Sequence, residues 1–367
     1  MINQERLVEG FIEMVKVSSE TRKEGEFAEK LKSILEELGL EVYVDNAGEV
    51  VGSNTGNIIA KLEGNVEKES VLFCCHMDTV SPGVNIKPVI KDGAIYSDGT
   101  TVLGADNKAG IACIIEAIRH IKEENIPHGP IELAFTIAEE GGLFGAKNLD
   151  YTKINSKRAY VLDSGGDPGQ VVIKGPAQDK IIAKIIGKPA HAGVAPEEGI
   201  SAIVVAAHAI SNMNLLRIDE ETTANVGVIN GGQVTNIVCP EVEIKAEARS
   251  LSIEKLDAQT NHMVKCIEEA CEKFGAKAKI DVERMYGPFN VKEDDEVVNR
   301  VKEACEALGI KFYTSSTGGG SDTNVLNQFG IKAVNLGIGE RKPHTLEEHI
   351  HIKDMVDVAK LVVELMK

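Results

Sequence analysis

The 367-residue sequence contains no tryptophan and only 4% aromatic residues, and it is short of positive charge. Its 40 Lys and Arg stand against 57 Asp and Glu, a formal net charge of −17. So acidic a body repels nucleic acid and anionic membrane surfaces, which argues against both as partners. No apolar run approaches the roughly 20 residues of a membrane span. The start, Met1-Ile2-Asn3-Gln4-Glu5-Arg6, lacks the basic segment and apolar run of a secretory signal. The seven cysteines are odd in number and no pair has the short spacing of a structural zinc site. Cys74 and Cys75 adjoin on an apolar run, where reduced thiols act as small hydrophobes. A cytoplasmic protein is expected.

Hydrophobic residues make up 43% of the chain, enough for packed cores, and the length exceeds one typical core, so two domains are expected. Helical spacing marks 5–16 and 24–39, where Leu31, Ile34, Leu35 and Leu38 share a face and Gly39 stops the helix. Strand-like runs follow at 57–62, 70–75, 131–138 and 159–162, with a helix at 107–122 between the second and third of them. Strands alternating with helices predict an α/β domain with a mixed sheet. From about Ala177 the pattern becomes strand 180–187, helix 199–213, strands 223–229 and 241–251, helix 252–274 and strand 277–283. That β-α-β-β-α-β order predicts an α+β ferredoxin-like split unit. After Pro288 the first texture returns, with a helix at 294–308, a strand at 332–337 and a final helix from about Lys353. We therefore expect a discontinuous catalytic domain, 1–176 and 288–367, interrupted by an inserted domain at 177–287.

Five segments carry acidic or imidazole groups at the ends of these elements. His76-Met77-Asp78 follows the run 70–75, Asp106 opens the helix at 107, and Glu139-Glu140 follows 131–138. Asp163 follows Tyr160-Val161-Leu162, and His344 lies in a Pro-His-Thr turn after 332–337. The carboxyl ends of strands line the ligand crevice in open α/β sheets, so these groups can converge there. Imidazole and carboxylate together suit zinc and related divalent ions, and the lack of nearby cysteine favours a catalytic over a structural site. Asp78, two residues after His76, is placed to hold the imidazole by its other nitrogen. Any one strand-end carboxylate is ordinarily a cap or surface group, and His208 within Val204–Ile210 reads as a packed side chain; the signal is the ordered set.

That set resembles the family of two-zinc exopeptidases and amidohydrolases that includes peptidase T, carboxypeptidase G, aminoacylase and succinyl-diaminopimelate desuccinylase. The resemblance is carried by His76-Met77-Asp78-Thr79-Val80, Leu103-Gly104-Ala105-Asp106-Asn107-Lys108-Ala109-Gly110, Glu139-Glu140-Gly141-Gly142 and Pro343-His344-Thr345, and covers essentially the whole chain. It implies two zinc ions per subunit, with cobalt or manganese as substitutes: His76 and Asp163 on one, Glu140 and His344 on the other, Asp106 between them. Glu139 matches the general base acting on a water that bridges the ions. The inserted domain matches a lid through which members dimerise. Lys188-Pro189-Ala190-His191-Ala192-Gly193 resembles the segment whose histidine stabilises the oxyanion. Gly231-Gly232-Gln233-Val234-Thr235-Asn236 and Glu247-Ala248-Arg249 resemble segments that bind substrate oxygens through an Asn and an Arg. Gly318-Gly319-Gly320-Ser321-Asp322 resembles a loop beside the substrate, so Gly319 and Ser321 join the expected contacts; a plain glycine turn is the alternative.

Two departures stand out. Gly104-Ala105 replaces a common arginine before the bridging aspartate, as in the peptidase T branch, and Glu247 replaces a common aspartate, leaving Arg249 in place. Among relatives, Asp at the position of Asp163 accompanies aminopeptidases and Glu accompanies carboxypeptidases and deacylases. The resemblance thus implies a homodimeric aminotripeptidase acting on short peptides, with N-acyl amino acids or other peptide-like amides as the alternative substrates. A metal-dependent binding protein would have no need of Glu139.

Overall fold

Four runs that are apolar through their middles, Ile131–Thr136, Val71–His76, Arg158–Ser164 and Lys332–Gly337, lie side by side and parallel. Uninterrupted apolar runs belong in strands buried on both faces, and every residue of Val71–His76 and Ile131–Thr136 is buried. The computed structural model describes all of Met1–Lys367. On one side Ile58–Leu62 and then Glu41–Val44 extend the sheet antiparallel. On the other, Gln170–Gly175 pairs antiparallel with Lys332–Gly337 and parallel with Tyr313–Ser316, and Phe289–Asn290 ends the row of the nine-stranded sheet, from which Tyr313–Ser316 branches. The helix Ala105–Glu123 buries Ile111, Ile114, Ile115 and Ile118, and packs against Val71–His76 and the helices Gln4–Val15 and Ile352–Met366. Each such buried side chain contributes roughly 1.5–3 kcal/mol. A small four-stranded sheet adds Glu340–Arg341, His349–His351, Ala94–Tyr96 and Val89–Lys91 in that order.

These elements form one compact unit, Met1–Lys174 with Asn290–Ser316 and Ser321–Lys367; the other is Gly175–Phe289 with Thr317–Gly320. The second unit is a five-stranded antiparallel sheet in the order Leu216–Arg217, Thr222–Gly231, Glu241–Ser250, Ala177–Ile186 and Lys277–Tyr286. Along Ala177–Ile186 every second residue is buried, placing Ile181, Ala183 and Ile185 on one face. That face packs on Val205, Ala206 and Ala209 of the helix Ala202–Asn212 and on Leu256, Met263 and Ile267 of the helix Ile253–Phe274. Apart from the two-residue strand Leu216–Arg217, this is the β-α-β-β-α-β order read from the sequence.

Two differences from the sequence reading bear on the site. The strand expected over 131–138 ends at Thr136, because the N–H groups of Ile137 to Glu140 turn to side chains instead of a neighbouring strand. The helix expected from Asn107 starts at Ala105, with Asp106 and Asn107 in non-helical conformations inside its first turn.

Candidate active site

His76 is the last residue of its central strand, and Asp163 lies near the end of the neighbouring one. Between them His76 Nε2 stands 3.2 Å from Asp163 Oδ1 and 2.8 Å from Asp106 Oδ1. The other oxygen of Asp106 faces a second imidazole, His344 Nε2, at 3.2 Å, and that same nitrogen is 2.8 Å from Glu140 Oε1. One carboxylate therefore serves two imidazoles, each flanked by one further carboxylate. Ligand atoms of His76, Asp106 and Glu140 all lie within 4.8 Å of one another. His76, Asp106, Glu140, Asp163 and His344 are thus brought together, and they are the residues that could hold metal. Glu139 lies beside them, buried, between Glu140 and the left-handed Ala138 (φ 47°).

Each of these groups is held by others. Asp78 is fully buried, and its backbone oxygen lies 2.8 Å from His76 Nδ1. The sequence suggested that its carboxylate would hold this nitrogen; the nearest carboxylate oxygen is 3.5 Å away. The carboxylate is occupied instead in accepting the N–H groups of Glu139 (3.0 Å) and Glu140 (3.3 Å) and the Thr21 hydroxyl (2.8 Å). The Asp106 loop is moulded by Glu348, whose buried carboxylate accepts N–H from Leu103 (2.7 Å), Gly104 (3.0 Å) and Asp106 (3.0 Å). Asp163 is fixed by Asn107 Nδ2 on its side chain (2.8 Å) and by Asn335, which bonds its backbone N–H and carbonyl at 2.9 and 3.0 Å. Sequence reasoning missed Glu348 and Asn335. The only trace of Glu348 was an acidic pair after His344, ordinarily a solvated surface.

A model of the peptidase family M20/M25/M40 matches residues 72–367. The chain belongs to this family. It is 46% identical over 367 residues to uncharacterised protein YqjE of Bacillus subtilis (strain 168), covering 100% of this chain and 99% of that one. Among solved structures, aminopeptidase PepT of Bacillus cereus ATCC 10987 is 49% identical with a TM-score of 0.90, over 100% of this chain and 98% of that one. A tripeptidase of Staphylococcus aureus subsp. aureus Mu50 is 43% identical with a TM-score of 0.96, at the same coverage. The protein is a hydrolytic peptidase, a peptidase T-like M20 member. None of its helices is long and apolar enough to cross a membrane.

In this M20 peptidase the electrostatics of the cluster call for cations. Burial opposes protonation of His76, yet the carboxylates of Asp163, Asp106 and Asp78 push its pKa well above the ordinary value. Hydrogen bonds that His344 gives to the carboxylates of Asp106 and Glu140 raise its pKa to about 10. Burial would raise Asp106, but His344 and His76 hold it well below the usual carboxylate range. Burial pushes Asp163 up to about 7, against the pull of His76. Glu139 is raised well above normal by burial and then by Asp163, with no cation in contact. So many buried carboxylates are costly unless positive charge compensates them. Oxygen and nitrogen donors, with one carboxylate placed between two imidazoles, fit a pair of divalent ions.

The remaining expected residues lie in the second unit or the loop 317–321. His191 and Asn236 sit on paired segments, with Ala192 N–H donating to the Asn236 carbonyl at 2.9 Å, and both are exposed. Arg249 is paired with the residue that departs from the family pattern. Glu247 takes its Nε and Nη2 at 3.0 and 3.1 Å, leaving Nη1, which reaches the Gly318 carbonyl at 3.4 Å. Gly319 is half-buried and gives its N–H to Thr317 Oγ1 at 3.1 Å. Ser321 is buried and its hydroxyl accepts from Asn335 Nδ2 at 3.3 Å, which makes it a support for Asn335 in this structure.

Proposed function

We propose that the protein is an aminopeptidase of the tripeptidase kind, removing the N-terminal residue of short peptides with two divalent ions, zinc foremost, and with Glu139 as general base. His76 and Asp163 would hold one ion, Glu140 and His344 the other, and Asp106 both. The observation that carries this reading is Asp106, whose two oxygens face two different imidazoles at 2.8 and 3.2 Å. Ions held there would lower the pKa of water towards neutrality and polarise the scissile carbonyl. Glu139, buried and without a cationic partner, takes the proton of the attacking water and returns it to the leaving amine. Asp78 orients both the base and Glu140 through their N–H groups. His191 supplies the oxyanion contact, and Asn236 and the free edge of Arg249 bind substrate oxygens. Asp163 and the similarity to an aminopeptidase and a tripeptidase favour a free amino end in the substrate.

A homodimer through the second unit belongs to the same reading. Beyond Ala224 the strand Thr222–Gly231 is paired only with Glu241–Ser250, and its Val228 and Ile229 are exposed, as are Ile203 and Val204 of the helix Ala202–Asn212. A free strand edge with apolar side chains is a pairing surface. All seven cysteines are free and buried, which suits a reducing, cytoplasmic setting.

Zinc-loaded protein should release an amino acid from a free tripeptide and leave the N-blocked tripeptide intact. Glu139→Ala should keep two ions per chain and lose roughly 10²–10⁴ in turnover. Full activity in that variant refutes the mechanism, and cleavage of N-acetyl amino acids in place of tripeptides transfers the protein to the deacylase side of the family. Cobalt or manganese should restore chelator-treated enzyme.

A further inference from the structure

Past Thr136 the chain leaves the sheet, yet its next four N–H groups are all taken by buried side chains from elsewhere. Ile137 donates to Asn57 Oδ1 at 3.0 Å, Ala138 to Glu24 Oε1 at 3.0 Å, Glu139 to Asp78 Oδ1 at 3.0 Å and Glu140 to Asp78 Oδ2 at 3.3 Å. Ala138, at φ 47°, occupies the left-handed region that a residue with a Cβ avoids. Such a conformation persists only when its surroundings over-determine it, and it clusters where function needs it. The backbone at 138 decides where the next two side chains point.

Glu24 and Asn57 are each 0% exposed. Asn57 is anchored by Asp45, which accepts its N–H at 2.8 Å and its Nδ2 at 2.9 Å. Glu24 Oε1 also accepts the Arg22 N–H at 2.8 Å, and its Oε2 accepts the Ser53 hydroxyl at 2.6 Å. Every contact of this carboxylate is thus either its own anchoring or the Ala138 N–H. A buried carboxylate is an expensive way to satisfy one amide, and its position beside the only left-handed residue next to Glu139 and Glu140 gives it a purpose.

We infer that Glu24 is a positioning residue for Glu139: it clamps the Ala138 N–H so that the left-handed turn sends Glu139 towards the substrate and Glu140 towards His344. The inference rests on the reading of Glu139 as general base. The chemistry of the contacts predicts which replacements serve. Glutamine keeps one oxygen for the Arg22 and Ala138 N–H groups, and its amide can donate to Ser53, whose hydroxyl rotates freely. Alanine loses all three contacts, and aspartate falls one methylene short.

The strand Ile131–Thr136 provides its own control. Glu132, near its start, is also buried and accepts N–H from Asn155 and Ser156, at 2.9 and 2.8 Å, far from the turn that carries Glu139. We would measure kcat, KM on a free tripeptide, bound metal and denaturation midpoint for Glu24→Ala, Glu24→Gln and Glu132→Ala. Measured at saturating zinc, so that both ions stay bound even if Glu140 is also shifted, Glu24→Ala should lose about 10²-fold in kcat with KM unchanged, the loss expected when a catalytic group is displaced by about 1 Å. Glu24→Gln should restore most of the turnover, and Glu132→Ala should lose midpoint but keep kcat. If Glu24→Ala keeps its kcat, if glutamine fares no better than alanine, or if Glu132→Ala loses the same turnover, Glu24 is structural only. Should the alanine variant fail to fold, Glu24→Asp carries the test: a lowered kcat supports the clamp and an unchanged one overturns it. A fully active Glu139→Ala would instead remove the reading beneath it.

Discussion

Glu348→Gln is the perturbation whose outcome the geometry specifies most closely. The carboxylate divides its work unevenly: Oε2 accepts the N–H groups of Leu103 and Gly104, and Oε1 accepts that of Asp106. Glutamine has one acceptor oxygen. If that oxygen keeps the pair at Leu103 and Gly104, its NH₂ is set against the N–H of Asp106, donor against donor. One buried N–H then goes unsatisfied, at a cost of about 1–3 kcal/mol, and two hydrogen bonds to a charged acceptor become ordinary ones. Roughly 2–4 kcal/mol in all should fall on the loop that aims Asp106. Because Asp106 serves both imidazoles, the loss should appear as metal affinity lowered by about 10–100-fold, the usual effect of removing a partner behind a ligand. Competition titration with a chelating indicator measures this directly, and a melt of chelator-treated protein separates it from plain destabilisation. A variant that binds metal as tightly as wild type would refute the reasoning.

Three further outcomes can be checked. Burial raises Asp322 to about 6 from 3.8, with Oδ1 unpartnered and Oδ2 bonded to Thr136 at 2.5 Å. Between those values the folded state holds a proton that the unfolded state releases, so this group's contribution falls as pH rises from about 4 to 6, by about 3 kcal/mol. In metal-free protein Asp322→Asn should therefore gain stability at pH 7.5 and little at pH 4, and denaturant midpoints showing equal effects at both would contradict it. A Cβ on Gly320 would meet the Tyr286 ring at 2.2 Å, while one on Gly318 meets nothing within 4 Å. Gly320→Ala should thus cost about 1–3 kcal/mol and Gly318→Ala almost nothing, as thermal melts will report. Arg249→Ala should raise KM for tripeptides by about 10–100-fold, the worth of a charged hydrogen bond, with a smaller change in kcat; the reverse pattern in steady-state kinetics would assign it to the chemical step.

The residues that meet in the candidate site were legible because each lies at or shortly after the end of a regular element, or at the start of one. An apolar run closing on His76 or Asp163, and a helix opening at Asp106, are local signals that survive without any knowledge of contacts. What aims these groups was not legible, and the reason is distance along the chain. Glu24 reaches Ala138 across 114 residues and Glu348 reaches Leu103 across 245, so nothing in the neighbourhood of either glutamate betrays its partner. Strands of two to four residues, such as Glu340–Arg341 and Tyr313–Ser316, are too short to show a period, and they escaped for that reason. The pairing of Arg249 with Glu247 did have a local signal: the sequence places the two residues two apart, on the same face of a strand.

The strand Lys332–Gly337 lies in the interior of the large sheet, between Arg158–Ser164 and Gln170–Gly175, and the segment after it brings His344 and Glu348. Chains emerge from the ribosome amino end first. Until residues 332–348 are made the unit therefore has a gap where this strand belongs, and Asp106 lacks both its second imidazole and the carboxylate behind its loop. Residues 332–348 supply an interior strand of the sheet and one of the two imidazoles facing Asp106 together, so the sheet is not completed without the candidate site being completed with it.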